Sequence, residues 1–455
     1  MICCLTALTI GFYSNFWKAA NQDWFNFFQY DSESLVIGKL ALSERQSIFS
    51  EGGLLGRYYN TATIKDAGLY QYELYKNNSN TIDNNFKTYN SQIGGQAFTF
   101  AILDYISPFS NVNNLKIFKL LTSVLTALFL SLILLWFFEN IGVGTAIFTL
   151  ILILFSQWIT VFGNNLYWSL WSFYIPFITT LTIFSMEIKK NKTLSIKTIY
   201  ILVFLSVFLK CFYSGMEYIT TTLIMLVIPI FYYASIDNWK LRILFNRILA
   251  ASVSSIAAII LSFTILSIQL ATVKGSMTKG FKHIWYSFIK RTYGDSSDYS
   301  DIIKESFDSR LSEVLLNYLN GVAINFNNIL TKSSDSELLK IEFDELIILI
   351  VLFSCLGLLL SKFYGKYIIN TKKTVALITT CWLSILAPLS WIILFKGHSY
   401  LHTHMNHIMW YMPFAILGYA VIGHVIFLFS KVIFSYFKTI NPLGIIYISF
   451  KNINL

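Results

Sequence analysis

Apolar runs of about twenty residues recur along this chain, and they constrain its fold more than any other feature. A run such as "LLTSVLTALFLSLILLWFF" is long enough to cross a hydrocarbon core of roughly 30 Å. Backbone groups in lipid have to be satisfied internally, so only helices or closed barrels span it, and no period-two alternation suited to a barrel is present. The charged fraction is 13%, about half that of an ordinary soluble domain. The reading is an all-α, polytopic helical membrane protein with about ten transmembrane helices. They are expected at 2–17, 115–138, 144–163, 169–187, 198–216, 218–236, 248–270, 346–361, 374–395 and 408–430. Asp344 and Glu345 argue against an earlier start for the eighth. Two long loops separate groups of spans. They divide the chain into an N-terminal module (1–270), a helical loop (271–345) and C-terminal spans with a tail (346–455).

The net charge of +10 has a topological explanation. Connections 187–197, 237–247 and 362–373 and the tail from Lys431 carry 14 Lys or Arg but only Glu187 and Asp237 as acids. Segment 18–114 holds 7 basic and 9 acidic residues, and 271–345 holds 9 and 11. Basic loops stay in the cytoplasm, so both termini are expected there and both long loops outside, in a multi-pass protein of the inner (plasma) membrane. The bilayer then accounts for the positive charge, and no nucleic-acid partner is invoked. The chain opens straight into an apolar run with no basic flank, so a cleaved signal is not expected. The five cysteines lie in apolar segments without metal spacing. There is no GxxxxGK[ST], HExxH or GxSxG, which removes support for nucleotide, zinc-peptidase and serine-hydrolase chemistry.

Apart from Glu139, in the remaining loop on the cytoplasmic side, the other charges fall near the outer ends of helices: Lys116, Lys119, Lys210, Glu217 and Lys396. A charge at mid-membrane costs about 2.5–3.5 kcal/mol, less at the interface, where Lys can also snorkel. In "FLKCFYSGMEYI", Lys210 and Glu217 are two turns apart on one helical face, with Gly215 able to kink or end the helix. They read either as a pocket pair or as a structural ion pair. The stretch "FKGHSYLHTHMNHIMWYMPF" holds His398, His402, His404 and His407, four of the six histidines. Their i, i+4 and i, i+3 spacings suit a metal if helical, suit hydrogen bonds to a phosphate or sugar, and also suit a plain interfacial role. No carboxylate lies in that stretch, so no metal ligand set is assigned. Arg57 and the aromatic turn with Tyr167, Trp168 and Trp171 complete the polar and sugar-stacking candidates. Segment 271–345 shows helical spacing at Leu311, Val314, Leu315 and Tyr318, as expected for amphipathic helices forming a lid or brace. In "KHIWYSFIKRTYG", Lys282, Lys290 and Arg291 are weaker candidates for lipid phosphates.

A short first helix, a long outer loop with an acid near its start, and many spans with short inner connections make up a layout. That layout resembles the GT-C superfamily of membrane glycosyltransferases, which use polyprenyl-phosphate-linked sugars. "QYDSESLVIGKL" places Asp31 at the position where such enzymes keep a base or acceptor-orienting acid, with Glu33 as the alternative. No Asp-Glu or Asp-x-Asp pair stands there. The loop helices of that superfamily would correspond to "SLVIGKLAL" and "GGQAFTFAILDYI". The resemblance implies transfer of a sugar from a polyprenyl-phosphate donor to an envelope glycan or lipid acceptor, and leaves a divalent cation open as cofactor. Asp31 or Glu33 would take the acceptor proton. Arg57, Lys210, Lys396 and His398 would meet the leaving phosphate. Two other readings compete. An O-antigen-type polymerase or ligase relies on arginines in a late loop, and Arg291 and Arg310 are the arginines of 271–345. A lipid-linked sugar transporter or flippase predicts charges through mid-membrane.

Overall fold

The computed structural model describes residues 1–59, 64–77, 85–190, 194–292, 301–327, 339–365 and 370–440. Among them, seven helices are long and apolar enough to cross a membrane, which makes the protein a helical, multi-pass membrane protein. A short α1 (Ile2–Ser14) leads into the first long loop. The loop contains α2 (Gln22–Phe27), α3 (Tyr30–Arg45), strand β1 (Leu55–Tyr58), α4 (Ile64–Asn77), strand β2 (Phe86–Tyr89) and α5 (Gly95–Ile106). β1 and β2 pair antiparallel, with Leu55 opposite Tyr89. "SLVIGKLAL" falls in α3 but does not lie on lipid. Every residue from Glu33 to Leu42 is buried, and Gly38 packs so closely on β1 that a Cβ would sit 2.4 Å from the Gly56 carbonyl.

The bundle follows with α6 (Asn111–Asn140), α7 (Val143–Leu154), α8 (Gln157–Phe162), α9 (Trp171–Lys190), α10 (Ile196–Ser214), α11 (Ile219–Asp237) and α12 (Leu241–Lys274). The run expected at 144–163 is broken between α7 and α8. There the freed Phe155 carbonyl accepts the Asn325 N–H at 3.0 Å, and the Ser156 hydroxyl lies 3.0 Å from that of Tyr419. A helix can be interrupted where another segment satisfies its backbone.

α12 has 34 residues, and at 1.5 Å per residue it runs about 51 Å, well beyond a bilayer core. Gly275 closes it at φ +82°, Ser276 caps the next helix, and α13 (Met277–Arg291) turns back along α12. Gly280 permits the approach: a Cβ would stand 3.0 Å from the Ser267 carbonyl. This hairpin delivers Arg291, the last residue of α13, to the side of α11 and α12.

Two further loop helices, α14 (Asp301–Asp308) and α15 (Leu311–Leu319), precede a small ribbon of β3 (Val322–Asn325) and β4 (Lys340–Glu342). α16 (Phe343–Phe363) starts before the position expected. Asp344 and Glu345 occupy its first turn, and Glu342 and Glu345 close a reciprocal capping box, so the acids begin the helix instead of excluding it. The stretch expected at 374–395 forms α17 (Thr371–Ser384) and α18 (Leu386–Leu394), and Pro388 has no N–H to return to the Ser384 carbonyl. α19 (Lys396–Leu401), a helical turn at Thr403–Asn406 and a buried 3-10 turn at His407–Tyr411 precede α20 (Phe414–Ile440), which packs on α7 and α16. At the end away from the long loops, Arg247 pairs with Glu187 at 2.8 Å and lies 3.6 Å from the Trp239 ring centroid.

Candidate functional site

The turn at 164–171 divides the sequence-predicted residues into two groups. Asn165 shapes it by accepting the Tyr167 and Trp168 N–H groups at 3.0 and 3.1 Å. On one side, the Leu166 N–H donates to Glu33 Oε1 at 3.0 Å. On the other, Trp168 stacks on Tyr218, next to Glu217, with ring centroids 5.7 Å apart.

In the first group, Glu33 is buried and fully engaged. Lys119 stands 3.0 Å from Oε2, and the Tyr72 hydroxyl donates to the same oxygen. Asp31 is half-buried, and among the described residues its carboxylate has no hydrogen bond or ion pair. Its backbone carbonyl accepts from Arg57 at 3.5 Å, and the same guanidinium reaches Ser34 and the Tyr59 hydroxyl. Arg57 therefore braces the start of α3. Trp171 joins neither group. It packs edge-on to Tyr213, at 4.6 Å, and over Phe129.

The second group centres on Glu217. α10 ends at Ser214, Gly215 takes φ +58° and Tyr218 φ +50°, so Lys210 and Glu217 do not share a helical face. The buried Lys210 ammonium donates to the carbonyls of Gly215, at 2.9 Å, and of Glu217. The Glu217 carboxylate instead pairs with Arg291, Oε1 to Nη2 at 2.9 Å, while His398 Nε2 stands 3.7 Å from Oε2. Tyr167 donates to the Tyr89 hydroxyl at 3.2 Å, and Tyr89 also meets Arg291. The β1–β2 ribbon therefore touches both groups, Asp31 through Arg57 and Arg291 through Tyr89.

His398 and His402 keep their expected i, i+4 relation, with rings 4.5 Å apart, and His404 is exposed beyond them. His407 departs from the cluster. It is stacked on Trp158 and Phe343 in the core, with Nε2 3.2 Å from the Asn317 carbonyl. Burial, followed by the nearby His402, Arg291 and Lys290, holds His398 well below the ordinary imidazole range; burial and His404, Arg291 and Lys290 push His402 down to about 4. Both rings are neutral at pH 7. Among the described residues no three His, Cys, Asp or Glu side chains are grouped so as to hold a metal ion. Lys396, expected to meet substrate, donates to the Phe307 and Ser309 carbonyls at 2.6 and 2.8 Å and fastens α19 to the end of α14.

A cavity of about 520 Å³ opens between α11, α12, α13 and α18. Its walls are nearly all apolar, including Met216, Leu223, Ile259, Phe263 and Phe288, and Arg291 is among the residues that line it. Asp31 does not line it. Arg291 stands out only weakly in the sequence. The signal was its place at the end of an amphipathic, basic segment, but its partner Glu217 is too distant in sequence to be paired by spacing.

Compared with known proteins, the chain matches no protein-family profile, no curated sequence and no solved structure. Its class is therefore set by the fold: a multi-pass helical membrane protein.

Proposed function

We propose that the protein is a membrane glycosyltransferase that moves a sugar from a polyprenyl-phosphate donor to an envelope glycan or lipid acceptor. The site faces the extracytoplasmic side of the plasma membrane, and both termini lie in the cytoplasm. The observation that supports this reading is the apolar groove with Arg291 in its lining. A prenyl chain needs apolar walls continuous with lipid, and its phosphate needs a guanidinium, whose fork matches phosphate oxygens in pairs. The bond between the sugar's anomeric carbon and the phosphate oxygen breaks, and the acceptor oxygen takes its place. Arg291 stabilises the charge that develops on the departing phosphate. Asp31, with a carboxylate free of partners among the described residues, accepts the acceptor proton. Glu33 is held by Lys119, Tyr72 and Leu166 and is the weaker base.

Arg291 also favours a second reading, an O-antigen-type polymerase or ligase, because it comes from the late loop and stands at the groove. Both readings are transferases and differ in acceptor. The test against a flippase uses purified protein in nanodiscs with polyprenyl-phosphate-linked hexoses labelled in the sugar. A transferase frees polyprenyl phosphate and moves label onto an added glycan or lipid acceptor. Movement of intact lipid-linked sugar across vesicle membranes, with no phosphate freed, would replace this reading with transport.

A further inference from the structure

The Arg291–Glu217 pair is only half closed. Glu217 Oε1 is taken by Arg291, but Oε2 is buried and has no hydrogen bond among the described residues. At 3.7 Å, His398 Nε2 is too far to provide one. The Nδ1 atoms of His398 and His402 are buried without partners as well. Buried polar groups left in this way are costly, so the cluster gains from a change of partners. The side chains of Arg291 and Glu217 are 17% and 8% exposed, so their attraction is little screened. Arg291 both pairs with Glu217 and lines the groove.

We propose that Glu217 is the resident counter-anion of Arg291, that the phosphate of a lipid in the groove displaces it, and that the released Glu217–His398 pair takes up one proton from solvent. This rests on the groove being a lipid-phosphate site. Before binding, the charges of Arg291 and Glu217 cancel. A phosphodiester brings one further negative charge into the same enclosed space, and once Arg291 has turned to it, an ionised Glu217 has lost its cation. A like charge nearby favours the neutral carboxylic acid. The proton comes from solvent to Glu217 Oε2, no covalent bond to carbon changes, and the new O–H donates to the neutral His398 Nε2. The groups that face Glu217 are Arg291, His398, Lys210, Tyr167 and Tyr218, and His402 and Lys290 face His398. Lys210 does not substitute for Arg291, because its ammonium is held by the Gly215 and Glu217 carbonyls.

The test is calorimetric titration of the full chain in detergent with a farnesyl methyl phosphodiester, which carries one fixed negative charge. It is run in two buffers of different ionisation enthalpy. Wild type is expected to take up about one proton per lipid bound. Glu217→Gln is expected to take up none and to bind about tenfold more tightly, because the competitor is gone. Competition by phosphatidylglycerol nanodiscs would support the exchange with a bulk phospholipid as the natural anion, and its failure would support a prenyl phosphate. Binding that depends on Arg291 but is unchanged or weakened in Glu217→Gln, with proton uptake persisting, overturns the exchange and leaves the groove assignment standing. Equal binding by wild type and Arg291→Met removes the groove assignment itself. If Glu217→Gln does not fold, the wild-type proton count decides: no uptake overturns the exchange.

Discussion

Replacing Arg291 by Met is expected to lower transfer by about 100- to 1,000-fold, the usual effect of removing one preorganised donor from a developing oxyanion. The loss should fall on kcat as well as KM, because phosphate charge grows as the glycosidic bond breaks. Stability suffers too. Glu217 would be left buried and without its cation, and breaking a buried pair from one side costs about 3–5 kcal/mol. The double variant Arg291→Met with Glu217→Gln separates these effects. It removes both charges together and should regain most of the lost thermal stability while remaining inactive. A double variant that regains activity along with stability would show that Arg291 only holds the fold.

Asp31→Asn is expected to reduce transfer by about 100- to 10,000-fold with the protein inserted and abundant, as for loss of a general base. The half-buried Asp31 carboxylate has no partner to lose among the described residues, so stability should be unchanged. Glu33→Gln should do the reverse. It weakens the contact with Lys119, which is partly exposed, and alters the acceptor for Tyr72 and the Leu166 N–H, costing about 1–3 kcal/mol of stability. Its activity per folded molecule should remain near wild type. Thermal melting and transfer rates on the same preparations check both. Full activity in Asp31→Asn removes that residue as the base. Asp31 does not line the groove, so this pair of variants bears directly on whether the two sides of the 164–171 turn serve one reaction.

Much of the bundle could be read from the sequence because lipid imposes long apolar runs, and α6, α10, α11 and α16 lie close to the stretches expected, while α12 extends beyond its stretch and α20 begins six residues after 408. The break between α7 and α8 could not be read, because the Asn325 N–H that satisfies the freed Phe155 carbonyl lies far along the chain in the second loop. Asp344 and Glu345 misled for a local reason: carboxylates that oppose a span also make good first-turn residues. In the site, the chemistry of the residues was legible but their partners were not. Gly215 ends α10 and turns Glu217 away from the face it would have shared with Lys210. Lys210 and Lys396 then serve backbone carbonyls, a role that charge and spacing do not reveal. The His398–His402 spacing held because both lie at the short helix α19, while His407 was drawn into an aromatic stack from three other elements.

The most direct test of the groove as a lipid-phosphate site is a density map of the protein with a farnesyl phosphodiester bound in a nanodisc. The phosphate is expected within hydrogen-bond distance of the Arg291 guanidinium, with the chain running past Met216, Leu223 and Phe263 and Glu217 turned toward His398. A map with the groove empty and the phosphate elsewhere, and Arg291 still paired with Glu217, would contradict that expectation.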